Sequence, residues 1–183
     1  MKRGFTLIEI VIVLIIIALL TTSTMNLNNN FIKDVQFKKE KDEVMGDYQV
    51  AANHSLSSRY VATISGTQWY DWLKIKFVDG RSGVEYIYQT KSGEIVEGIN
   101  QSYQNIIISG LQRNGTNVDE LELFFTPYRV GCREGAGKEK GIAKFQVSST
   151  IIGKKYCFQI HSISCKMISF LCEGEDAIRF FGN

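Results

Sequence analysis

The chain has 183 residues, of which 44% are hydrophobic and one is proline, so it is neither disordered nor of low complexity. Lys2 and Arg3 supply two of the 21 basic residues, and the 19 that follow Gly4 balance the 19 acidic residues. This balance argues against a strongly polyanionic partner, because nucleic-acid binders usually carry a concentrated basic surface.

The most apolar part of the chain is its N-terminal segment. Residues 5–20 read FTLIEIVIVLIIIALL, and a helix extended to Met25 offers about 20 residues, roughly the 30 Å of a bilayer core. Because the segment is apolar on every side, it predicts a transmembrane helix and not an interfacial one. Lys2 and Arg3 predict a cytoplasmic N-terminus. The alternative is a secretory signal peptide, for which residues 21–30 (TTSTMNLNNN) offer only a poor cleavage site.

Glu9 is the unusual residue of this segment. An acid inside an apolar run costs roughly 2.5–3.5 kcal/mol at the centre of a membrane helix, so it indicates a function with a partner. The alternative is that Glu9 reaches the membrane interface from its place near the end of the helix. A charged leader that ends in glycine, Lys2-Arg3-Gly4, stands directly before Phe5.

Lys-Arg-Gly followed by Phe-Thr-Leu-Ile-Glu and an unbroken apolar run resembles the class III signal of type IV pilins and type II secretion pseudopilins. The resemblance implies that a prepilin peptidase cuts after Gly4 and methylates the new amine of Phe5. It also implies that Glu9 neutralises the amine of a neighbouring subunit in a filament. The implied partners are the peptidase, other pilins or pseudopilins, and an inner-membrane assembly platform.

Elementary electrostatics supports this pairing. Cleavage creates a cation at Phe5, and a cation and a carboxylate that enter a low-dielectric medium together attract strongly, whereas either one alone is penalised by desolvation. The predicted organisation is a leader (1–4), a transmembrane and polymerisation helix (5–25), and a periplasmic or extracellular α+β domain (26–183).

The predicted domain begins with helix and continues with strands. Asn28-Asn29-Asn30 predicts a local break, and apolar residues at three- and four-residue intervals predict an amphipathic helix over 31–58, with Lys38–Glu43 on its solvated face. Seven β-branched or aromatic runs predict strands. They are YVATIS, WLKIKFV, VEYIYQT, YQNIIIS, LELFFT, AKFQVSS and KYCFQIHSI, separated by turns at 79–83, 91–94 and 113–116.

The predicted fold is therefore a type IV pilin-like α+β domain, a long helix packed on an antiparallel sheet. The order of the last strands also resembles, more loosely, the GspH/FimT branch of minor pseudopilins. In that branch a late strand ends in Phe-x-Pro, as Phe125-Thr126-Pro127 does, before a glycine-containing loop (131–141) and two closing strands.

The cysteines all lie in the last third of the chain, at Cys132, Cys157, Cys165 and Cys172. Their spacing gives no zinc pattern, and a domain outside the cytoplasm predicts disulfides, with buried free thiols as the alternative. Sequence allows three full connectivities; the one we favour joins Cys132 to Cys157 and Cys165 to Cys172.

Motifs of enzymes, cofactor sites and metal sites are missing from the sequence, so we expect neither an enzyme nor a cofactor. His54 and His161 are expected to be structural, and Trp69, Tyr70 and Trp72 to be core or sheet-face aromatics. Basic residues between 132 and 155 leave DNA contact as an alternative. They are Arg133, Lys138, Lys140, Lys144, Lys154 and Lys155.

The sequence thus predicts a minor structural subunit of a type IV pilus or type II secretion pseudopilus, made as a single-pass protein of the cytoplasmic membrane. The alternative function is a binding module at a filament tip, for DNA uptake or surface adhesion.

Overall fold

The computed structural model describes residues 7–129, 132–134, 141–172 and 180, without the side chains of 22–28, 133 and 134. The chain divides into two compact units, Met1–Gln36 and Phe37–Asn183. The described elements are α1 (Leu7–Ser57), β1 (Tyr60–Thr63), β2 (Gly66–Trp69), β3 (Trp72–Val78), β4 (Gly83–Gln89), β5 (Ile95–Ser102), β6 (Ile106–Arg113), β7 (Thr116–Asn117), β8 (Glu120–Phe125), β9 (Cys132–Glu134), β10 (Ile142–Ser149), β11 (Lys155–His161) and β12 (Lys166–Leu171).

Helix α1 runs from Leu7 to Ser57 as one α-helix, so the predicted break at residues 28–30 is wrong. Asparagine disfavours a helix interior by well under 1 kcal/mol relative to alanine, whereas proline disfavours it by about 3 kcal/mol. The helix contains no proline. Three asparagines between good helix formers therefore do not stop it.

In the second unit, one stripe of α1 forms the centre of the hydrophobic core. Phe37, Val44, Tyr48 and Ala51 are buried, and their spacing of three, four and seven residues places them on one face of a helix. Ser58 then donates its backbone N–H to the carbonyl of His54 at 2.9 Å, and the chain continues into β1.

Two five-stranded antiparallel sheets pack with this stripe. Sheet one has the order β5-β4-β3-β8-β9, and sheet two has the order β12-β11-β10-β6-β7, while β1 and β2 form a separate hairpin. Alternate residues of β3, β4, β8 and β10 are buried, as expected for strands with one face in a core. The α+β fold with a helix on antiparallel sheets is confirmed.

Aromatic rings connect the three layers of the second unit. Ring centroids of Tyr48 and Phe125 are 5.9 Å apart, so α1 contacts sheet one. Phe37 lies 5.4 Å from Tyr156, so α1 also contacts sheet two. Between the sheets, the rings of Phe77 and Phe145 are 4.7 Å apart.

The predicted solvated face at 38–43 is only partly solvated. The Glu40 carboxylate accepts the backbone N–H of Asn105 at 2.9 Å and its side-chain amide at 2.6 Å. The Lys41 ammonium lies 5.1 Å from the centre of the Tyr156 ring. This charge run therefore attaches the helix to the β5–β6 connection and to sheet two.

Disulfides join all four cysteines, but the favoured pairing is wrong. Cys132 pairs with Cys165 and Cys157 pairs with Cys172, each with Cα atoms 5.5 Å apart. Cys165 and Cys172 stand at opposite ends of β12, which separates them by about 23 Å, far beyond the roughly 7 Å limit for a disulfide. Cys172 instead lies beside the start of β11, where its N–H donates to the Lys155 carbonyl at 2.9 Å.

Candidate assembly and processing site

The N-terminal part of α1 is an exposed apolar cylinder. Leu7, Ile8, Ile10–Ile17, Leu19 and Leu20 are each between 45% and 84% exposed. Because exposed residues follow one another without interruption, they cover every side of the helix and not one stripe. Contiguous apolar surface of this kind marks an interaction with other proteins or with lipid.

Two side chains among residues 7–21 are polar, those of Glu9 and Thr21. The Thr21 hydroxyl donates to the carbonyl oxygens of Ile17 and Ala18, both at 2.9 Å. This hydroxyl therefore makes its hydrogen bonds within the helix, and the side chain can enter an apolar environment at little cost in free energy.

Glu9 lies on the exposed surface of α1. Together with Ile10, Val13 and Leu14 it lines a groove of about 260 Å³. The carboxylate therefore lies among apolar side chains at the surface of the helix.

Of the predicted processing residues, Gly4 and Phe5 lie outside the described residues. Residues 5–25, which include Phe5 and the N-terminal part of α1, were predicted to cross a membrane. In the described part of the chain, no helix combines the length and the apolar character needed to cross a membrane.

The two histidines have local partners in the described structure. His54 Nδ1 lies 3.4 Å from the Tyr70 hydroxyl, and its ring also meets the edge of Tyr88 at 5.9 Å. His161 Nε2 lies 2.7 Å from the Gln159 amide nitrogen. Among the described residues, no group of three or more potential ligands is arranged to hold a metal ion.

Of the six basic residues predicted between 132 and 155 as a DNA contact, the structure describes the side chains of Lys144, Lys154 and Lys155. Lys144, which is described, donates to the Phe180 carbonyl, and its ammonium lies 4.9 Å from the Phe180 ring. This lysine therefore holds Phe180 against the outer face of sheet two.

An exposed aromatic cluster, which the sequence did not predict, occupies the β1–β2 hairpin. The Arg59 guanidinium lies 4.8 Å from the Trp69 ring and 5.7 Å from the Tyr128 ring, and Tyr60 meets Trp69 edge-on at 5.5 Å. Tyr70 is buried as expected, but Trp69 is 45% exposed. The sequence feature that could have indicated this cluster is the isolated run GTQW, because it is too short and too polar for a core strand.

A helix with an exposed apolar N-terminal part and an antiparallel α+β domain define the class: the fold is pilin-like. Residues 1–25 match the family model described as the prokaryotic N-terminal methylation motif. No curated protein and no solved structure matches the chain. The chain thus carries a class III prepilin signal, consistent with a type IV pilin or pseudopilin.

This signal has direct functional consequences. It is the signal of structural subunits that prepilin peptidase processes and that assemble with other pilins, first anchored in a membrane and then incorporated into a filament. It does not mark enzymes.

Proposed function

We propose that the chain is a minor subunit of a type IV pilus or type II secretion pseudopilus. The precursor enters the cytoplasmic membrane through residues 5–25, with its N-terminus in the cytoplasm and the domain from residue 26 outside. Prepilin peptidase then cuts after Gly4 and methylates the amine of Phe5. An inner-membrane assembly platform moves the mature subunit into the filament.

The observation that carries this proposal is the exposed cylinder of α1 with one acid in it. A filament core made of such helices would bury the apolar surface of each against its neighbours. Glu9 of one subunit would meet the Phe5 amine of the next, because each charge is costly in hydrocarbon without the other. The pairing also fixes the axial register, as one buried polar residue does in a coiled coil.

The experiment separates processing from assembly with two variants. Gly4→Val should accumulate as an uncut precursor, because a β-branched side chain obstructs the approach of the peptidase to the backbone. Glu9→Leu removes an insertion penalty of about 2.5 kcal/mol or more, so it should be inserted and cut. It should then collect as mature membrane-bound subunit, with little in the sheared filament fraction.

Electrophoretic mobility, mass spectrometry of the N-terminus and blots of the sheared fraction read out these outcomes. Glu9→Leu in filaments at the wild-type level would contradict the pairing. Normal maturation of Gly4→Val would contradict the processing site. Ile8→Leu is the matched control, because it keeps the apolar surface and should behave as wild type.

A second candidate function is a binding module at the filament tip, for DNA uptake or adhesion. The exposed cluster of Arg59, Tyr60, Trp69 and Tyr128 favours it, because aromatic rings with arginine stack on nucleotide bases. The test is retention of single-stranded DNA by the detergent-solubilised chain at increasing salt. Trp69→Ala should weaken retention and Thr67→Ala, on the same strand, should not; equal retention by both would exclude this role for the hairpin.

A further inference from the structure

A cavity of about 220 Å³ lies between α1 and sheet one, next to the edge strand β5. Asp47 and His54 lie two turns apart on the helix, and Tyr86 and Tyr88 come from β4. Val50 and Ile99, which are 69% and 45% exposed, stand at its mouth. The cavity therefore opens to solvent between two apolar side chains and has aromatic side chains in its wall.

Asp47 gives the cavity its charge. The Tyr103 hydroxyl donates to Asp47 Oδ2 at 3.0 Å, and in the described structure Asp47 has no salt bridge and no second hydrogen bond. No lysine or arginine is among the described residues that line the cavity. The Tyr103 hydroxyl therefore holds the carboxylate in position through one oxygen, and the other oxygen can accept a hydrogen bond from a ligand.

Tyr86 lies with Asp47 in the wall of the cavity. The residue is 5% exposed and its hydroxyl is buried, so the part of Tyr86 that can meet a ligand is its ring. Burial, and secondly the Asp47 charge, raise the pKa of Tyr86, so the hydroxyl stays neutral.

The chemistry of these groups selects the ligand. A carboxylate that already has one donor repels anions and attracts a second donor, most strongly a charged one. The rings of Tyr86 and Tyr88 favour a cation over a neutral group, since aromatic faces attract positive charge. The apolar mouth suits a short hydrocarbon stem. An ammonium group on an alkyl chain satisfies all of these conditions.

We propose that this cavity binds a primary alkylammonium group, with the ammonium on Asp47 and the stem between Val50 and Ile99. Two sources carry this chemistry: the lysine side chain of a neighbouring subunit, with its four-carbon stem, and a free polyamine. This binding site goes beyond the proposed function and does not depend on it, because a single subunit holds all of its groups.

The first test is titration of the detergent-solubilised full chain with n-butylammonium chloride, followed by NMR of the tyrosine rings. We expect saturable binding that n-butanol, the neutral analogue, does not reproduce. Asp47→Asn keeps an acceptor for Tyr103 and should raise Kd at least tenfold. Asp42→Asn, an exposed acid on the same helix, is the matched control and should leave Kd unchanged.

Val50→Trp keeps the result interpretable if Asp47→Asn does not fold. Val50 is mostly exposed, so the larger side chain should close the mouth without disturbing the core, and it should abolish binding. Binding that is absent in the wild type, equal for butanol, or unchanged in Val50→Trp would overturn the proposal.

Cross-linking distinguishes the two sources. Carbodiimide treatment of sheared filaments, followed by peptide mass spectrometry, should join Asp47 to a lysine of another subunit if that lysine is the ligand. If spermidine added before the carbodiimide is joined to Asp47 instead, a free polyamine is the ligand. Both results support an ammonium site at Asp47, and neither bears on whether Glu9 directs assembly.

Discussion

Replacing Glu40 with alanine tests how α1 is fastened to the sheets. Glu40 accepts two hydrogen bonds from Asn105, one from its backbone N–H and one from its side-chain amide. The Asn105 carbonyl in turn accepts the backbone N–H of Thr150 at 2.9 Å. One asparagine therefore connects the helix, the β5–β6 connection and the turn between β10 and β11.

The expected loss follows from the number and kind of these bonds. A hydrogen bond to a charged group contributes about 1.5–3 kcal/mol. Glu40 is half-buried, so water can replace part of what the alanine variant loses, and we take the lower end for each bond. The free energy of unfolding should fall by about 2–3 kcal/mol. The contact between Asn105 and Thr150 survives and should keep the connection in place.

The measurement is urea-induced unfolding of the detergent-solubilised chain, followed by tryptophan fluorescence. Glu43→Ala is the matched control, since Glu43 is on the same helix and forms a surface ion pair with Lys39 across 3.6 Å. An exposed pair of this kind contributes less than about 1 kcal/mol. Equal midpoints for the two variants would refute the assignment of Glu40 as a fastening residue.

Two further predictions concern the second unit. Gly83→Ala should lower the free energy of unfolding by about 1–3 kcal/mol, because its Cβ would lie 2.6 Å from the Gln101 carbonyl oxygen. Gly98→Ala, on the paired strand, is the control and should not lower it, because the added Cβ meets nothing within 4 Å. Similar unfolding midpoints for the two variants would contradict the clash. The denatured, unreduced protein should show no free thiol. Removing either disulfide, with sequence separations of 15 and 33 residues, should cost about 3–4 kcal/mol, and a free thiol in the wild type would contradict the oxidised state.

The sequence predicted the strands that bury one face and missed those at the edges. Strands such as β3 and β4 alternate because each has a neighbour on both sides and a core beneath it. Strand β5 has a neighbour on one side only, and most of its residues are exposed, so its sequence IVEGINQS needs no alternation. Strand β12, at the edge of sheet two, was missed for the same reason.

The sequence also did not reveal which residues far apart along the chain contact each other. Glu40 lies in a run of six charged residues, and nothing local indicates which of them faces Asn105, 65 residues later. The disulfide pairing depends on which strands lie side by side, which spacing alone does not reveal. The prepilin signal is different, because its pattern is local: the roles predicted for Gly4, Phe5 and Glu9 rest on one short stretch of sequence.

The alternation of the chain between its two sheets has a consequence for the order of folding. Strand β3 pairs with β8 only after the chain has left sheet one to form β6, and β6 pairs with β10 only after the chain has returned for β8 and β9. Neither sheet can form all of its strand pairs before the other sheet has begun to form. Strand pairs between residues so far apart along the chain slow folding. The ring of Phe145, which touches Phe77 and Phe158, arrives only with β10. The second unit therefore cannot complete its core during synthesis of its first two thirds, and we expect it to unfold in one cooperative transition.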